Sequence, residues 1–322
     1  MALLKVASLT KINGPKIAVD AISFEQQPLQ KIAIAGETGS GKTTLLKMIG
    51  GLVQPDAGII YFNNTVVLGP MEQLIAGHKQ IAYHSQQFEL RNNYWVYELL
   101  EMAQQTTVKE AEHIYKVCDI VHLVKRRTNE LSGGEKQRIV LAMQLVKKPS
   151  LLLLDEPFSN LDSIHTRKMK EVIAAVSDQL QISCILVSHD GADVLSWADE
   201  IIVLKDGSIV QQGTPVQIYE RPVSAYCAGL FGEYSFLSKE LALQFQVNIQ
   251  EQSIAVRPTG FSLKPTKQSV EGIVQTVFYF GTHYLLVVKV GAELLKIQTT
   301  ERKYTVGEIL SISIDPKQVF YL

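Results

Sequence analysis

Positions 36 to 44 carry residue types that suit the binding of a phosphate group. In order they are Gly36, Glu37, Thr38, Gly39, Ser40, Gly41, Lys42, Thr43 and Thr44. The first eight match the G-x-x-x-x-G-K-[ST] pattern, in which glycines let backbone amides close around an anion. Lys42 supplies a positive charge to the β- and γ-phosphates, and the Thr43 hydroxyl is an oxygen ligand of the kind that Mg²⁺ prefers. The residues predict a nucleotide site.

The sequence on either side of this loop predicts the elements that would position it. Residues 31–35 are an apolar run typical of a buried strand, and residues 44–49 read as a helix that ends at Gly50-Gly51. A strand, a loop and a helix N-terminus in this order direct their amides and dipole at one anion. The alternative, a chance glycine-rich turn, does not require that setting.

Two further apolar runs end in side chains that could act on a phosphate. Residues 151–154 are four leucines followed by Asp155 and Glu156, and residues 183–188 precede His189. Continuous apolar runs are typical of central parallel strands, whose carboxyl ends hold the ligands of open α/β sheets. Glu156 suits a general base, although it could instead support the ligands of a metal. A lone histidine after a strand is more often structural.

Residues 131–138 combine a helix start with an unusual glycine pair. Ser132 and Glu135 have the spacing of a capping box, which alone would predict a well-capped helix. Gly133 and Gly134 weigh against capping as the whole explanation, because glycine lowers helix stability.

The remaining chain divides into an α/β part and a β-rich tail. Residues 3–12 and 18–27 read as antiparallel strands, 58–67 as a strand interrupted by two asparagines, and 81–86 as a short strand ending at Gln86. Residues 88–148 show helical periodicity, including a helix over 109–124. From residue 235 onward, glycine-containing turns separate short β-like segments. These are Gln244–Ile249, Ile254–Arg257, Val270–Tyr279, Tyr284–Val290, Leu294–Gln298 and Ile309–Ile314.

Composition limits the class of protein. The 322 residues carry a net charge of −1, which gives no electrostatic footprint for nucleic acid. The three cysteines lie far apart, which favours reduced thiols in a cytosolic setting. The chain lacks a signal-peptide pattern and an apolar run of about 20 residues, so we expect other chains to hold it at any membrane where it acts.

Together these motifs resemble the nucleotide-binding subunits of ATP-binding-cassette (ABC) transporters, over residues 1 to about 230. The likeness includes the phosphate loop, Gln86, the Leu131–Arg138 signature, Asp155-Glu156, the Ser159–Asp162 loop and His189. It implies an α/β P-loop NTPase fold of the ABC ATPase type. An antiparallel β subdomain and a helical subdomain at about 88–148 would belong to this domain.

The resemblance also implies roles for the site residues, with ATP and Mg²⁺ as ligands. Thr43, Asp155 and Gln86 would serve the metal, and Gln86 would also act in catalysis by sensing the attacking water. Glu156 would be the general base, and His189 would contact the γ-phosphate. Ser132 and Gly134 would bind the γ-phosphate held by the phosphate loop of a second copy in a head-to-tail homodimer, and Gly133 and Asp162 would also bind nucleotide.

One position departs from the family. The aromatic residue that usually stacks on adenine aligns with Asn13. Ile12 could still pack against the base, but π-stacking is lost. We therefore expect weaker adenine affinity and poorer discrimination of ATP over GTP; a clear ATP preference with low micromolar affinity would contradict this.

Residues 235–322 resemble the small all-β, OB-like TOBE domain of many importer ATPases. The likeness rests on Ile254–Pro258 and Gly272–Gly281. It implies a peripheral subunit on the cytoplasmic face of the inner membrane, bound to two permease subunits and served by an extracytoplasmic solute-binding protein, with no nucleic-acid partner. The tail's size favours a polyamine or ferric iron as cargo. An exporter ATPase, or a non-transport ABC ATPase of the DNA-repair or translation type, is the alternative.

Overall fold

The computed structural model describes residues 1–85, 90–249, 253–266 and 268–322. The chain forms two compact units, Met1–Thr214 and Pro215–Leu322. The strands of the first unit are β1 Leu4–Asn13, β2 Lys16–Gln26, β3 Lys31–Ala35, β4 Ala57–Phe62, β5 Thr65–Val66, β6 Ile81–His84, β7 Leu151–Asp155, β8 Ser183–Ser188, β9 Glu200–Lys205 and β10 Ser208–Gly213. Its helices are α1 Lys42–Ile49, α2 Val96–Ala103, α3 Val108–Val117, α4 Gly133–Leu145, α5 Ser163–Leu180 and α6 Gly191–Leu195.

A six-stranded sheet in the order β10-β9-β3-β8-β7-β6 forms the centre of the first unit. All of its strand pairs are parallel except β9 with β10, which form an antiparallel hairpin. Every residue of β7 and β8 is buried, as their apolar sequences predicted. Ala35 pairs with Ser188, and Asp155 pairs with Val187. The loops that follow β3, β7 and β8 therefore all begin at the carboxyl ends of these parallel strands.

A second, antiparallel sheet in the order β2-β1-β4-β5 confirms the predicted β subdomain. The Asn63-Asn64 pair separates β4 from β5, and both asparagines have positive φ, as a tight hairpin turn requires. The two sheets share a core into which α1 packs Leu45, Leu46 and Ile49.

Helices α2, α3 and α4 form the predicted helical region, whose first residue, Phe88, lies outside the described residues. The helix expected over 109–124 is shorter, because α3 ends at Val117. Asp119 adopts a left-handed φ of 52°, and the Ile120 N–H bonds to the carbonyl of Tyr115. This local closure ends the helix although the apolar spacing continues.

The second unit contains three short helices and eight strands among the residues that the structure describes. They are α7 Pro215–Glu220, α8 Ala225–Leu230, β11 Ser235–Leu237, α9 Lys239–Gln244, β12 Ile254–Val256, β13 Phe261–Ser262, β14 Val270–Tyr279, β15 Tyr284–Val290, β16 Glu293–Thr299, β17 Ile309–Ile314 and β18 Val319–Tyr321. The antiparallel sheet β13-β17-β14-β15-β16 curls until its edge strands approach each other, which confirms an OB-like domain.

Buried Arg257 explains why α7 and α8 belong to this unit, although the sequence motifs predict a first domain that extends to about residue 230. Its guanidinium donates to the carbonyls of Ala228 and Gly232 at 2.8 Å each and to that of Tyr219 at 3.3 Å. The guanidinium also lies over the Tyr219 ring, 4.4 Å from the centroid. These bonds join both helices to the strand end at Val256.

The predicted strand Gln244–Ile249 is wrong. Ser238 caps α9 by accepting from the N–H of Leu241 at 3.1 Å, and the helix runs to Gln244. Gln246 then has a left-handed φ of 56°, and the N–H of Val247 bonds to the carbonyl of Ala242. The polar cap thus outweighs the alternating pattern that suggested a strand.

Candidate nucleotide-hydrolysis site

The predicted phosphate loop connects β3 to α1 and holds its lysine in place. Lys42 is 5% exposed, and its Nζ donates to the carbonyls of Gly36 at 2.8 Å and Glu37 at 2.7 Å. Burial lowers the pKa of Lys42, while the charges of Glu156, Asp155 and Glu37 oppose this shift. The lysine is thereby preorganised beside a loop shaped for an anion.

The loop glycines are required by close backbone approach. Gly41 has a left-handed φ of 102°, and a Cβ there would lie 2.1 Å from the Ala18 carbonyl oxygen on β2. The Ser40 hydroxyl is buried and has no hydrogen-bond partner among the described residues. A cradle without side chains and an unsatisfied hydroxyl both fit a phosphate ligand.

The predicted metal residues Thr43 and Asp155 lie in direct contact. The Thr43 hydroxyl donates to Asp155 Oδ1 at 3.0 Å, and the Tyr83 hydroxyl donates to Asp155 Oδ2 at 2.7 Å. Burial, followed by the bond to Asp155, raises the pKa of Tyr83 well above its usual range. Two hard oxygen donors held together beside the phosphate loop fit Mg²⁺. Gln86, the third predicted metal residue, lies outside the described residues.

Glu156 and His189 are adjacent, as the strand ends predicted. The distance between Glu156 Oε2 and His189 Nδ1 is 3.3 Å. Glu156 has a left-handed φ of 47°, and its N–H bonds to the Val187 carbonyl at 3.0 Å. Positive φ at a non-glycine residue is costly and is characteristic of functional sites. The backbone turn directs this carboxylate to the phosphate loop rather than into the core.

A pocket of about 460 Å³ joins the loop to the turn between β1 and β2. Its lining includes Thr38, Gly39, Gly41, Lys42, Thr43, Thr44, Glu156, Asn13, Lys16 and Ala18. Asn13 thus lines the same pocket as the phosphate loop, and its place next to the nucleobase stays a prediction. Lys16 was not identified from the sequence; its Nζ donates to the Gly39 carbonyl at 3.2 Å. The sequence signal that could have identified Lys16 is a basic residue in the same turn as Asn13.

The signature residues form a second cluster, and they are not among the residues that line this pocket. Ser132 caps α4, while Asp162 caps α5 by accepting from the N–H groups of Ile164 and His165, both at 2.9 Å. His165 links them: its Nδ1 lies 2.7 Å from Asp162 Oδ2, and its Nε2 lies 3.3 Å from Ser132 Oγ. A Cβ on Gly134 would lie 2.4 Å from this ring. Sequence reasoning missed His165.

A buried hydrogen-bond network contacts the backbone of Tyr83 and the side chain of His84. Gln144 of α4 donates to the Tyr83 carbonyl at 2.6 Å, and its Oε1 lies 3.2 Å from Nδ1 of His84. Burial lowers the pKa of His84 to about 4, although the bond to Gln144 opposes this shift. The network joins the strand that carries Tyr83 to the signature helix.

The low pKa of His84 predicts acid sensitivity. Below pH 6.5 the unfolded chain protonates this residue, whereas the folded chain resists protonation until about pH 4. Protonation of His84 therefore does not lower the free energy of unfolding above pH 6.5. As the pH decreases toward 4, the free energy of unfolding falls by about 3 kcal/mol because of this group. Urea unfolding of the wild type and of His84→Asn at several pH values measures the effect. The variant should lose less stability across this interval; equal losses would contradict the assignment.

These features define a class: a P-loop nucleotide hydrolase with a loop lysine, a paired Thr–Asp and a neighbouring glutamate at the end of a parallel strand. The family profile described as "ABC transporter" matches residues 19–159, and that of the TOBE domain matches residues 254–322. Among the described residues, the structure contains no helix with the length and apolarity needed to cross a membrane.

Two known import ATP-binding proteins are similar in sequence to most of this chain, and a solved structure is similar to about two thirds of it. The glucose import ATP-binding protein GlcV of Saccharolobus solfataricus is 32% identical over 82% of this chain and 80% of its own length. The spermidine/putrescine import ATP-binding protein PotA of Acetivibrio thermocellus is 26% identical over 98% of this chain and 94% of its own. A dimeric ATP-binding cassette, MJ0796, solved with ADP and phosphate, superposes with a TM-score of 0.56 and 25% identity, over 66% of this chain and 98% of that one.

The chain belongs to the ABC transporter family, among the importer-type ATPases that carry a C-terminal TOBE domain.

Proposed function

We propose that this ATPase drives the import of a small solute as a head-to-tail homodimer bound to two permease subunits. The observation that supports a dimer is that the phosphate-loop pocket and the cluster around Ser132 and Asp162 are separate within one chain. The nucleotide pocket has its loop and its carboxylate, but it is not lined by the signature residues Ser132, Gly133 and Gly134 or by Asp162. A second copy would supply them, and the relative MJ0796 was solved as a dimer.

In the proposed reaction, a water molecule attacks the γ-phosphate of ATP while the loop amides and Lys42 hold the phosphates. Glu156 takes the proton from that water, and His189, 3.3 Å from the carboxylate, contacts the γ-phosphate. Thr43 and Asp155 would hold Mg²⁺, with Gln86 completing the set. The ion would supply charge neutralisation at the β- and γ-phosphates.

An exposed apolar surface on the first unit suits a membrane-embedded partner. Met71, Leu74, Ile75 and Met102 are between 65% and 106% exposed. Ile75 also lines a groove of about 720 Å³ that reaches Gln105. A neighbouring groove contains Met102 and shares Gln105 and Lys147 with it. Exposed apolar residues that lie close together are typical of protein interfaces. We propose this surface as part of the permease contact.

The aromatic residues Tyr94, Trp95 and Tyr97 differ in availability for that contact. Tyr94 and Tyr97 are 37% and 42% exposed. Trp95 is half-buried, and the Arg127 guanidinium lies 4.6 Å from its ring centroid. The two tyrosines therefore remain candidate contacts, while Trp95 contributes to packing within the helical region.

For cargo, we propose a polyamine first and ferric iron second. The support is the size of the tail and the spermidine/putrescine relative, which matches across both units. We further propose the cytoplasmic face of the inner membrane as the location, and an extracytoplasmic solute-binding protein as the source of cargo. Both follow from the import role.

Asn13 offers a test of nucleotide recognition. Asn13→Tyr should raise ATP affinity about tenfold, because stacking on a base contributes roughly 1–3 kcal/mol. Isothermal titration with ATP and with GTP measures the change, and Asn13→Ala separates the added ring from the lost amide. Unchanged affinity in Asn13→Tyr, or a wild type that already prefers ATP strongly with low micromolar affinity, would contradict the assignment of this turn to the base.

The experiment that tests the function is affinity purification of Glu156→Gln from detergent-solubilised membranes with ATP, compared with the wild type and ADP. Blocked hydrolysis should trap the closed dimer on its permease. Recovery of a stoichiometric polytopic membrane protein would establish transport and supply the partner needed to test cargo. A dimer recovered alone would favour the non-transport reading.

A further inference from the structure

Asp162, His165 and Ser132 form a hydrogen-bonded chain that connects the start of α5 with the start of α4. Asp162 Oδ2 lies 2.7 Å from Nδ1 of His165, and the opposite ring nitrogen, Nε2, lies 3.3 Å from Ser132 Oγ. The imidazole is partly exposed, with 31% of the side chain accessible, so it can exchange protons with solvent. No role assigned so far uses this histidine.

The carboxylate determines which nitrogen of neutral His165 carries the proton. The backbone N–H of His165, followed by its side chain, lowers the pKa of Asp162, which is therefore ionised and can only accept hydrogen bonds. Nδ1 must then carry the hydrogen that points to Asp162. In the neutral ring Nε2 is left as an acceptor, and the Ser132 hydroxyl is its donor.

Protonation reverses the second bond. Ser132 Oγ already accepts from the backbone N–H of Glu135 at 3.3 Å. With neutral His165 the hydroxyl hydrogen is committed to Nε2, and a phosphate oxygen, which only accepts, finds no donor on Ser132. With protonated His165, Nε2 donates to Oγ and the hydroxyl hydrogen is released. The positive ring also adds charge that favours an anion.

We propose that His165 is a positioning residue that sets the direction of the Ser132 hydroxyl and thereby its capacity to bind the γ-phosphate of ATP. This inference rests on the proposed head-to-tail dimer, in which that phosphate belongs to the second copy. When His165 is protonated, the Ser132 hydroxyl can donate to the phosphate as the dimer closes on ATP. When His165 is neutral, that hydroxyl donates to Nε2 instead.

The charged groups near His165 lie on its own helix and on α4. On its own element Asp162 is the direct partner, and Lys168, one turn further along α5, pairs with Asp119 at 3.1 Å. On α4, Glu135 accepts from the Ser132 N–H at 2.7 Å and pairs with Arg126 at 3.7 Å. Gly134, also on α4, packs against the ring and carries no charge.

The test measures the ATP concentration that gives half-maximal dimer, by sedimentation, at about pH 6 and about pH 8. Three full-length proteins are compared: Glu156→Gln, Glu156→Gln with His165→Leu, and Glu156→Gln with Ser132→Ala. Glu156→Gln should need about tenfold less ATP at the lower pH, because the released hydroxyl and the charged ring both favour the phosphate. Both double variants should lose this ratio; His189 is present in all three.

Two results separate a positioning role from damage to the fold. At about pH 8 the His165→Leu protein should need less ATP than its parent, because nothing then holds the Ser132 hydroxyl. A merely structural histidine would give the opposite change, and that result would overturn the inference. A pH ratio that persists without His165 would also overturn it while leaving the dimer intact. Absence of any ATP-dependent dimer would overturn the proposed function and this inference with it.

Discussion

Replacing Glu156 with glutamine is expected to lower the rate of ATP hydrolysis by about 10²–10⁴-fold, with little change in ATP affinity. The amide keeps the size of the side chain but cannot take a proton from water. Because the phosphate loop and its lysine are unchanged, ATP should still bind and a closed dimer should accumulate. Steady-state release of phosphate and equilibrium binding of ATP measure the two effects separately.

Glu171→Gln is the matched control for this prediction. Glu171 lies on α5, where it pairs with Lys168 at the surface with 59% of its side chain exposed. The same chemical change there should leave hydrolysis within about twofold of the wild type, since exposed ion pairs contribute little. If Glu156→Gln hydrolysed ATP as fast as Glu171→Gln, the base would have to be another group.

The second large effect is expected for Lys42→Met, which should reduce kcat/KM for ATP by about 10²–10³-fold. Methionine fills a similar volume but brings no charge to the β- and γ-phosphates. The change also leaves the carbonyls of Gly36 and Glu37 without the donor they now share. Nucleotide titration and steady-state hydrolysis measure the loss of affinity and of turnover.

Lys47→Met supplies the control for that loss. Lys47 lies in the last turn of the same helix, α1, and is half-buried. It receives the same substitution, in the same element, at the end away from the phosphate loop. We expect nearly wild-type affinity for ATP. Equal losses in the two variants would indicate a general effect on α1 rather than a role for the Lys42 charge.

Much of the site could be predicted because its residues follow strand ends. A run of four leucines is typical of a buried central strand, so Asp155 and Glu156 were expected at the carboxyl end of that strand. The glycine pattern then located the facing loop. Local sequence carries both signals, and the structure brings the Thr43 hydroxyl to Asp155 as expected.

The contacts that could not be predicted join distant segments. Tyr83 reaches Asp155, and His165 reaches Ser132, across separations of 72 and 33 residues. Nothing in the spacing of these side chains distinguishes them from ordinary polar residues of a short strand and a helix start. The helix at Lys239–Gln244 was missed for a different reason: a serine cap determined its start, and alternating residues masked it.

The close approach of β2 to the phosphate loop has a consequence for the cell's energy supply. The carbonyl of Ala18 fills the space beside Gly41, and Lys16 bonds to Gly39, so the turn bearing Asn13 and the loop form one block. The weak binding of the base that we expect from Asn13 would then raise the ATP concentration needed for occupancy without displacing the phosphates. We expect import to follow the ATP pool closely, slowing early in starvation and leaving the remaining ATP to other enzymes.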